Sequence, residues 1–340
     1  MYKLKVLVAG STGYIGVQLI KLLSKHKNVL IKHLCGNTSE GKKISYFDKS
    51  LKSKKLPRIV KFNKLFLKNV DLVFTALPNG EAQDISKHLL KNNVLIDLAA
   101  DFRLEKAKTY LRWYKQKHRA VSKIKNSIYA LPELSSNQIK KFNIISCPGC
   151  YPTSILIPLI PLIKKNLINL KNIIIDSKSG YSGAGRGVHK QYANKNLYES
   201  LSAYGVGFHR HNSEVEQEIR NVTRKKFNFT FTPHLAPMFR GILTTIYIDA
   251  YKKCSIDKIH KCLNQFYKNK IFVKVLKTNT LISTNDVINT NNCYLSVFKT
   301  RSKNKYIILS AIDNLIKGGA GQAIQNMNIK FNFSESEGLK

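Results

Sequence analysis

The chain has 340 residues, 43% of them hydrophobic, which suffices for two domains with a sizeable core and excludes intrinsic disorder. A net charge of +37 raises nucleic acid as a partner, but the lysines are dispersed, with no Arg-rich helix, basic tail or zinc finger; the bias reads as codon usage and no specific nucleic acid is expected. No apolar run reaches the roughly 18 residues of a membrane span, and Met1–Lys5 leads straight into a strand, so no membrane partner is expected and the chain reads as cytoplasmic.

Leu4–Ala9 reads as a buried parallel strand, and Ile15, Leu19, Ile20, Leu22 and Leu23 space a helix behind it. Between them lies Gly10-Ser11-Thr12-Gly13-Tyr14-Ile15-Gly16, where glycines permit a tight turn, close approach of a pyrophosphate and close helix packing. The spacing is G-x-x-G-x-x-G, and all seven residues are candidate cofactor contacts. The second strand, Val29–Cys35, runs into Gly36-Asn37-Thr38-Ser39, with no acidic residue to grip a ribose 2′-hydroxyl. Asn37 and Ser39, with Thr38 and Lys42 or Lys43, would accommodate a 2′-phosphate, which favours NADP(H). Lys42–Lys64 reads as surface loop. Strands at Val70–Leu77 and Val94–Ala99 with a helix at about Ala82–Asn92 continue the alternation of a Rossmann-type α/β sheet. Leu77 and Pro78 join the cofactor candidates.

Ile144–Ser146 leads into Cys147-Pro148-Gly149-Cys150-Tyr151-Pro152-Thr153, and a helix is expected from Tyr151 to about Lys165. Pro152 is harmless in the first turn, whereas Pro158 and Pro161 should kink or shorten the helix. A thiol at such an N-terminus meets the positive end of the macrodipole and unpaired N–H groups, which favours thiolate and stabilises an oxyanion beside it. Cys147 and Cys150 also form a C-x-x-C, open to redox or half-zinc readings, but no second pair completes a cage and no metal is expected.

Beyond this point strand patterns at Ile173–Ser177, Phe227–Thr232, Ile242–Ala250, Ile271–Leu276, Cys293–Phe298 and Tyr306–Ile312, with a helix near Ile256–Tyr267, describe an α+β domain with a mixed, largely antiparallel sheet. The glycine-rich loop Ser179–Gly187 offers backbone N–H groups and the hydroxyls of Ser179 and Ser182 to an anionic ligand. His209-Arg210-His211-Asn212-Ser213-Glu214 precedes the helical spacing of Val215, Ile219 and Val222. If His209 faces Cys150 it can take the thiol proton, with His211 and Glu214 lining the pocket; helix-entry hydrogen bonding is the competing reading. Arg103 and Arg240 are the arginines whose motif context suggests carboxylate or phosphate recognition.

These motifs, with Leu98–Arg103, Pro233–Met238 and Asp313–Asn328, occur in an order that resembles the N-acetyl-γ-glutamyl-phosphate reductase family, arginine-biosynthesis relatives of aspartate-semialdehyde dehydrogenase. The resemblance covers nearly the whole chain, and the string Pro148–Thr153 is its most specific part. It implies an NADPH-dependent reduction of an acyl phosphate to an aldehyde through a thioester on Cys150, with His209 as acid–base partner and Arg103, Tyr204, His211 and Glu214 near the substrate. It further implies a C-terminal helix that returns to the cofactor domain, Gly318, Gly319 and Gly321 near the nicotinamide, and a homodimer or homotetramer. The expected boundaries are 1–147 with 314–340 for the cofactor domain and 148–313 for the catalytic and oligomerisation domain. Two positions depart from the family pattern: Cys147 replaces an asparagine and Ser213 a proline. An aspartate-semialdehyde dehydrogenase, a polyanion-binding protein on a dinucleotide fold and a silent NADP sensor remain the alternatives.

Overall fold

The computed structural model describes residues 3–186, 199–252 and 254–339. The chain forms two compact units, Met1–Pro148 with Gly319–Lys340, and Gly149–Gly318.

The first unit is built on seven parallel strands: β1 Leu4–Ala9, β2 Val29–Cys35, β3 Ile59–Val60, β4 Leu72–Thr75, β5 Val94–Asp97, β6 Ser127–Tyr129 and β7 Ile144–Ser146. Their order is β3-β2-β1-β4-β5-β7-β6. Strands covered on both faces need side chains that are apolar on both, and Val6, Leu7, Val8, Val73, Phe74, Leu95 and Ile96 are fully buried. Helices α1 Tyr14–Leu23, α2 Glu81–Ser86, α3 Ala107–Tyr114, α4 Val121–Ile124 and α5 Pro132–Ile139 follow in chain order, and the C-terminal helix Gly321–Lys330 packs on α5, α1 and β5.

The expected helix Ala82–Asn92 is shorter than its pattern suggested. After Ser86 the bonds tighten to i,i+3, as in His88 N–H to Ile85 O, and Asn93 ends the segment by accepting the Leu90 N–H while donating to Leu67 O and Val70 O.

The second unit contains β8 Ile168–Gly180, β9 Ser202–Ala203, β10 Phe229–Ala236, β11 Ile242–Ala250, β12 Val273–Val275, β13 Cys293–Lys299 and β14 Lys305–Ile312 in the order β12-β13-β14-β11-β8-β10-β9. Pairing is antiparallel except for β12 with β13 and β8 with β10. One face, carrying Ile173, Ile175, Ile246, Ile308 and Ile312, is buried. Helix α6, Cys150–Lys164, packs on β8, β11 and β14 and is flanked by α7 Asn212–Val222 and α8 Ile256–Tyr267.

Contrary to expectation, α6 is not shortened by its prolines and runs 15 residues. Pro161 offers no N–H to the carbonyl of Ile157, and the Tyr267 hydroxyl donates to that carbonyl instead. A buried helix tolerates the missing bond because a neighbour replaces it. Strand β8 is longer than its Ile173–Ser177 core, because polar Asn169, Lys171 and Asn172 conceal a continuing ladder with β11 that carries an irregularity at Tyr247–Asp249.

Candidate active site

The turn after β1 separates glycines the fold requires from one it does not. Gly10 has φ +83°, and a Cβ there would lie 2.2 Å from Ala76 O; a Cβ on Gly16 would lie 2.1 Å from Gly10 O. Gly13 meets only Gly10 O at 3.9 Å, so nothing in the chain crowds a side chain at that position. The Gly10 and Ser11 N–H groups and the Ser11 hydroxyl all donate to Cys35 O at 3.0 Å, which fastens the turn to the end of β2. Ser11 is fully buried and holds the turn from within. The intrahelical bonds of α1 begin with the Val17 N–H to Gly13 O, so the N–H groups of its first turn, from Tyr14 to Gly16, have no intrahelical acceptor.

Beside this turn lies a cleft of about 300 Å³ lined in part by Gly10, Gly36, Asn37, Leu77, Glu81 and Asp84. Asn37 is exposed, whereas Ser39 is buried and Pro78 lies at the surface outside the lining. No local pattern marks Glu81 and Asp84 as site residues, because they come from α2, far along the chain from Asn37. The Arg119 guanidinium, 2.6 Å from Asp84, and then Lys87 hold the Asp84 carboxyl down at about 2. Burial, followed by the charges of Asp101 and Asp84, pushes Glu81 up.

Arg103 is buried, and its Nε and Nη2 donate to Cys147 O at 2.8 Å and Leu98 O at 2.9 Å. It thereby secures the backbone that leads towards Gly149. Asp101 accepts from the Gly80 N–H, the Gln83 side chain and the Tyr110 hydroxyl and caps the start of α2. The Cys147 thiol is fully buried, contacts Asn326 Nδ2 at 3.6 Å and is pushed by burial up to about 12. Such a thiol is a poor redox nucleophile, and the described cysteines form no disulfide. Among the described residues no His, Cys, Asp and Glu cluster could hold a metal ion.

Cys150 is the first residue of α6, one position earlier than the expected helix start, and is half-buried. Pro152 has no N–H and the Thr153 N–H donates to Gly149 O, so Cys150 and Tyr151 supply the N–H groups without an intrahelical acceptor in this turn. Close by, a π-type turn at Ile316–Ala320 brings in Gly318, where a Cβ would lie 2.7 Å from Cys150 Cβ. Gly318 thus makes room for the Cys150 side chain. Gly319 and Gly321 are buried in the continuing turn and helix.

His209 stands in an aromatic surround, edge-on to Tyr151, Tyr204, Phe231 and His211 with ring centroids 4.7–5.6 Å away. Burial, and secondarily the Arg210 charge, holds the imidazole down at about 4. The His211 N–H donates to its Nδ1 at 3.2 Å, so the neutral ring carries its proton on Nε2. With Nδ1 engaged by the His211 N–H, the ring keeps Nε2–H as a hydrogen-bond donor. Tyr204 shares a 2.9 Å hydrogen bond with Tyr151 through the two hydroxyls. Tyr151 joins the site although sequence pattern alone does not select it from within the most specific string; only its ring contacts single it out.

Glu214 is not on the pocket wall expected of it. It has no exposed surface, its Oε2 accepts the Gly149 N–H at 2.9 Å, and its Oε1 lies 3.8 Å from His211 Nε2. The first residues of the glycine-rich loop do not offer the N–H groups expected of them. The N–H groups of Gly180, Tyr181 and Ser182 donate to the carbonyls of Gly241, Met238 and Phe239, the Ser179 hydroxyl donates to Gly180 O, and the Ser182 hydroxyl accepts from Asn314. The three N–H groups and the Ser179 hydroxyl are taken by the protein because the loop zips against Met238–Gly241. Gly187 lies outside the described residues. Arg240 contacts Asn289 at 2.8 Å and the buried Asp313 at 3.1 Å, an internal ion pair that bolts the same loops together.

Residues 5–142 match the family model described as semialdehyde dehydrogenase, NAD binding domain, and residues 150–314 the one described as semialdehyde dehydrogenase, dimerisation domain. The chain is 43% identical over 336 residues to N-acetyl-gamma-glutamyl-phosphate reductase of Clostridium beijerinckii, covering 98% of this chain and 97% of that one. It is 40% identical to the probable chloroplastic N-acetyl-gamma-glutamyl-phosphate reductase of Arabidopsis thaliana, covering 99% and 84%. Among solved structures, aspartate semialdehyde dehydrogenase II of Vibrio cholerae shares the fold with a TM-score of 0.72 at 15% identity, covering 98% and 99%. The Candida albicans aspartate semialdehyde dehydrogenase determined with NADP gives 0.66 at 19%, covering 96% and 98%. The chain belongs to the N-acetyl-gamma-glutamyl-phosphate reductase family, built from semialdehyde dehydrogenase NAD-binding and dimerisation domains.

Proposed function

We propose that the chain reduces N-acetyl-γ-glutamyl phosphate to N-acetyl-L-glutamate 5-semialdehyde and phosphate, a step of arginine biosynthesis, with NADPH as reductant and Cys150 as nucleophile. The observation that carries this reading is the thiol at the head of α6, with two N–H groups beside it that no helical carbonyl can reach. Attack of Cys150 Sγ on the acyl carbon forms a C–S bond, breaks the C–O bond to phosphate, and sends the thiol proton out on the phosphate. When bound, NADPH supplies the hydride that the thioester carbon takes up. The resulting oxyanion re-forms a carbonyl, expelling the Cys150 thiolate and releasing the aldehyde. The Cys150 and Tyr151 N–H groups and the His209 Nε2–H stabilise the two oxyanions, each such donor being worth about 2.7–4 kcal/mol. Tyr204 and His211, in the ring cluster around His209, are proposed to meet the rest of the substrate. A cytoplasmic place of action is proposed because the six cysteines, mostly far apart in sequence, do not form a disulfide framework pattern.

The turn suits a dinucleotide because Gly13 leaves space that the chain does not use. Replacing Gly13 by Ala should leave the melting temperature nearly unchanged while weakening NADPH binding about tenfold or more, some 1.4 kcal/mol. Unchanged affinity by titration calorimetry would remove the pyrophosphate from this turn. Asn37 favours NADPH over NADH, and comparing turnover with the two cofactors tests that preference. Substrate identity is tested in the reverse direction: phosphate-dependent oxidation of N-acetylglutamate semialdehyde should exceed that of aspartate semialdehyde. The opposite order would assign the shorter substrate.

The outer face of the second unit's sheet carries Ile174, Tyr247, Ile307 and Phe298 in one cross-strand row, with Ile174 43% and Tyr247 41% exposed. We propose that a second copy covers this row in a homodimer, or in a tetramer built from such dimers. Tyr247→Arg should lower the mass measured by light scattering; a mass identical to wild type would place the interface elsewhere.

A further inference from the structure

We infer that Glu214 is a positioning residue that holds the Gly149 peptide nitrogen so that the chain enters α6 with Cys150 at its head. This deepens the reading of Cys150 as the nucleophile and rests on it. Glu214 is the third residue of α7, and its carboxylate receives the N–H of the residue that caps α6, so one side chain serves the N-terminal ends of two helices. Both macrodipoles are positive there, which suits an acidic group. The holder is rigid: Val215 and Ile219 on the same helix are fully buried, and α7 packs on α6.

His211 completes the clamp from one turn earlier. A Cβ on Gly149 would lie 2.5 Å from His211 Nε2, so the imidazole occupies the space beside the Gly149 α-carbon while Glu214 takes its N–H. The Gly149 N–H is therefore engaged by protein, at 2.9 Å from Glu214 Oε2. Because Glu214 has no exposed surface, its influence on substrate passes through the backbone it fixes.

Two substitutions separate this role from a substrate contact. Glu214→Ala should lower kcat about 10²-fold, the usual cost of misplacing a reacting group, with KM for the acyl phosphate within about threefold of wild type. Glu214→Gln retains an oxygen that accepts the Gly149 N–H and should recover to within about tenfold of wild type. A raised KM at unchanged kcat, or a Gln variant as impaired as the Ala variant, would overturn the proposal. If Glu214→Ala does not fold, Glu214→Asp, which keeps the charge but shortens the reach, should show the same kcat loss; wild-type kcat in that variant would equally overturn it. Alkylation of Cys150 by iodoacetamide, mapped by mass, needs no substrate. Slower labelling in the Ala or Asp variant, restored in the Gln variant, supports the clamp even if wild type proves inactive on this acyl phosphate, whereas equal labelling throughout refutes it.

Discussion

Cys150→Ser is expected to lower turnover by on the order of 10⁴-fold or more while leaving NADPH affinity nearly intact. The two effects separate because the thiol heads α6 in one compact unit and the dinucleotide turn after β1 belongs to the other. A serine hydroxyl is nearly isosteric, so packing against Gly318 survives, but it does not ionise near neutral pH and attacks the acyl carbon poorly. Initial rates of NADPH oxidation and calorimetric NADPH titration of the same sample check both halves. Wild-type turnover in the serine variant would end the covalent scheme.

His209→Ala is the second large effect, an expected fall of about 10²–10³-fold in kcat, the range found on deleting one oxyanion donor. The magnitude follows from the hydrogen-bonding state of the ring: Nδ1 accepts the His211 N–H, leaving Nε2–H to donate. His209→Asn retains an N–H donor and should recover part of the loss. Because burial holds the imidazole near 4, it stays uncharged from about pH 5 upward, and the kcat profile between pH 5 and 8 should lack a limb near the ordinary histidine value of 6.5. A limb near 6.5 that disappears in His209→Ala would restore proton uptake as its role, and a rate within twofold of wild type would exclude it from the chemistry.

Much of the fold can be read from local pattern, because strands buried on both faces must be apolar throughout and Val6, Leu7, Val8, Phe74 and Ile96 announce themselves. The same holds for Cys150, whose neighbours Gly149 and Pro152 already describe a helix start. Local pattern misleads where a distant residue decides the outcome. α6 survives Pro161 because Tyr267, more than a hundred positions later, donates to the freed Ile157 carbonyl, and α2 ends early because Asn93 takes its bonds to Leu67 and Val70. Among site residues, motif context suggests that Ser179, Ser182, Arg240 and Glu214 bind an anion or substrate, but only the fold reveals that each already has a protein partner. Glu81 and Asp84 are the converse case, acidic residues on an unremarkable helix that tertiary structure brings to the cleft beside Asn37.

The most direct test is the mass of Cys150 after mixing the protein with N-acetyl-γ-glutamyl phosphate in the absence of NADPH. Stoichiometric phosphate release is expected, with an N-acetylglutamyl adduct mapped to the peptide bearing Cys150 and discharged to the semialdehyde when NADPH is added. NADPH-dependent reduction of this substrate with no adduct on Cys150 at any time would contradict it.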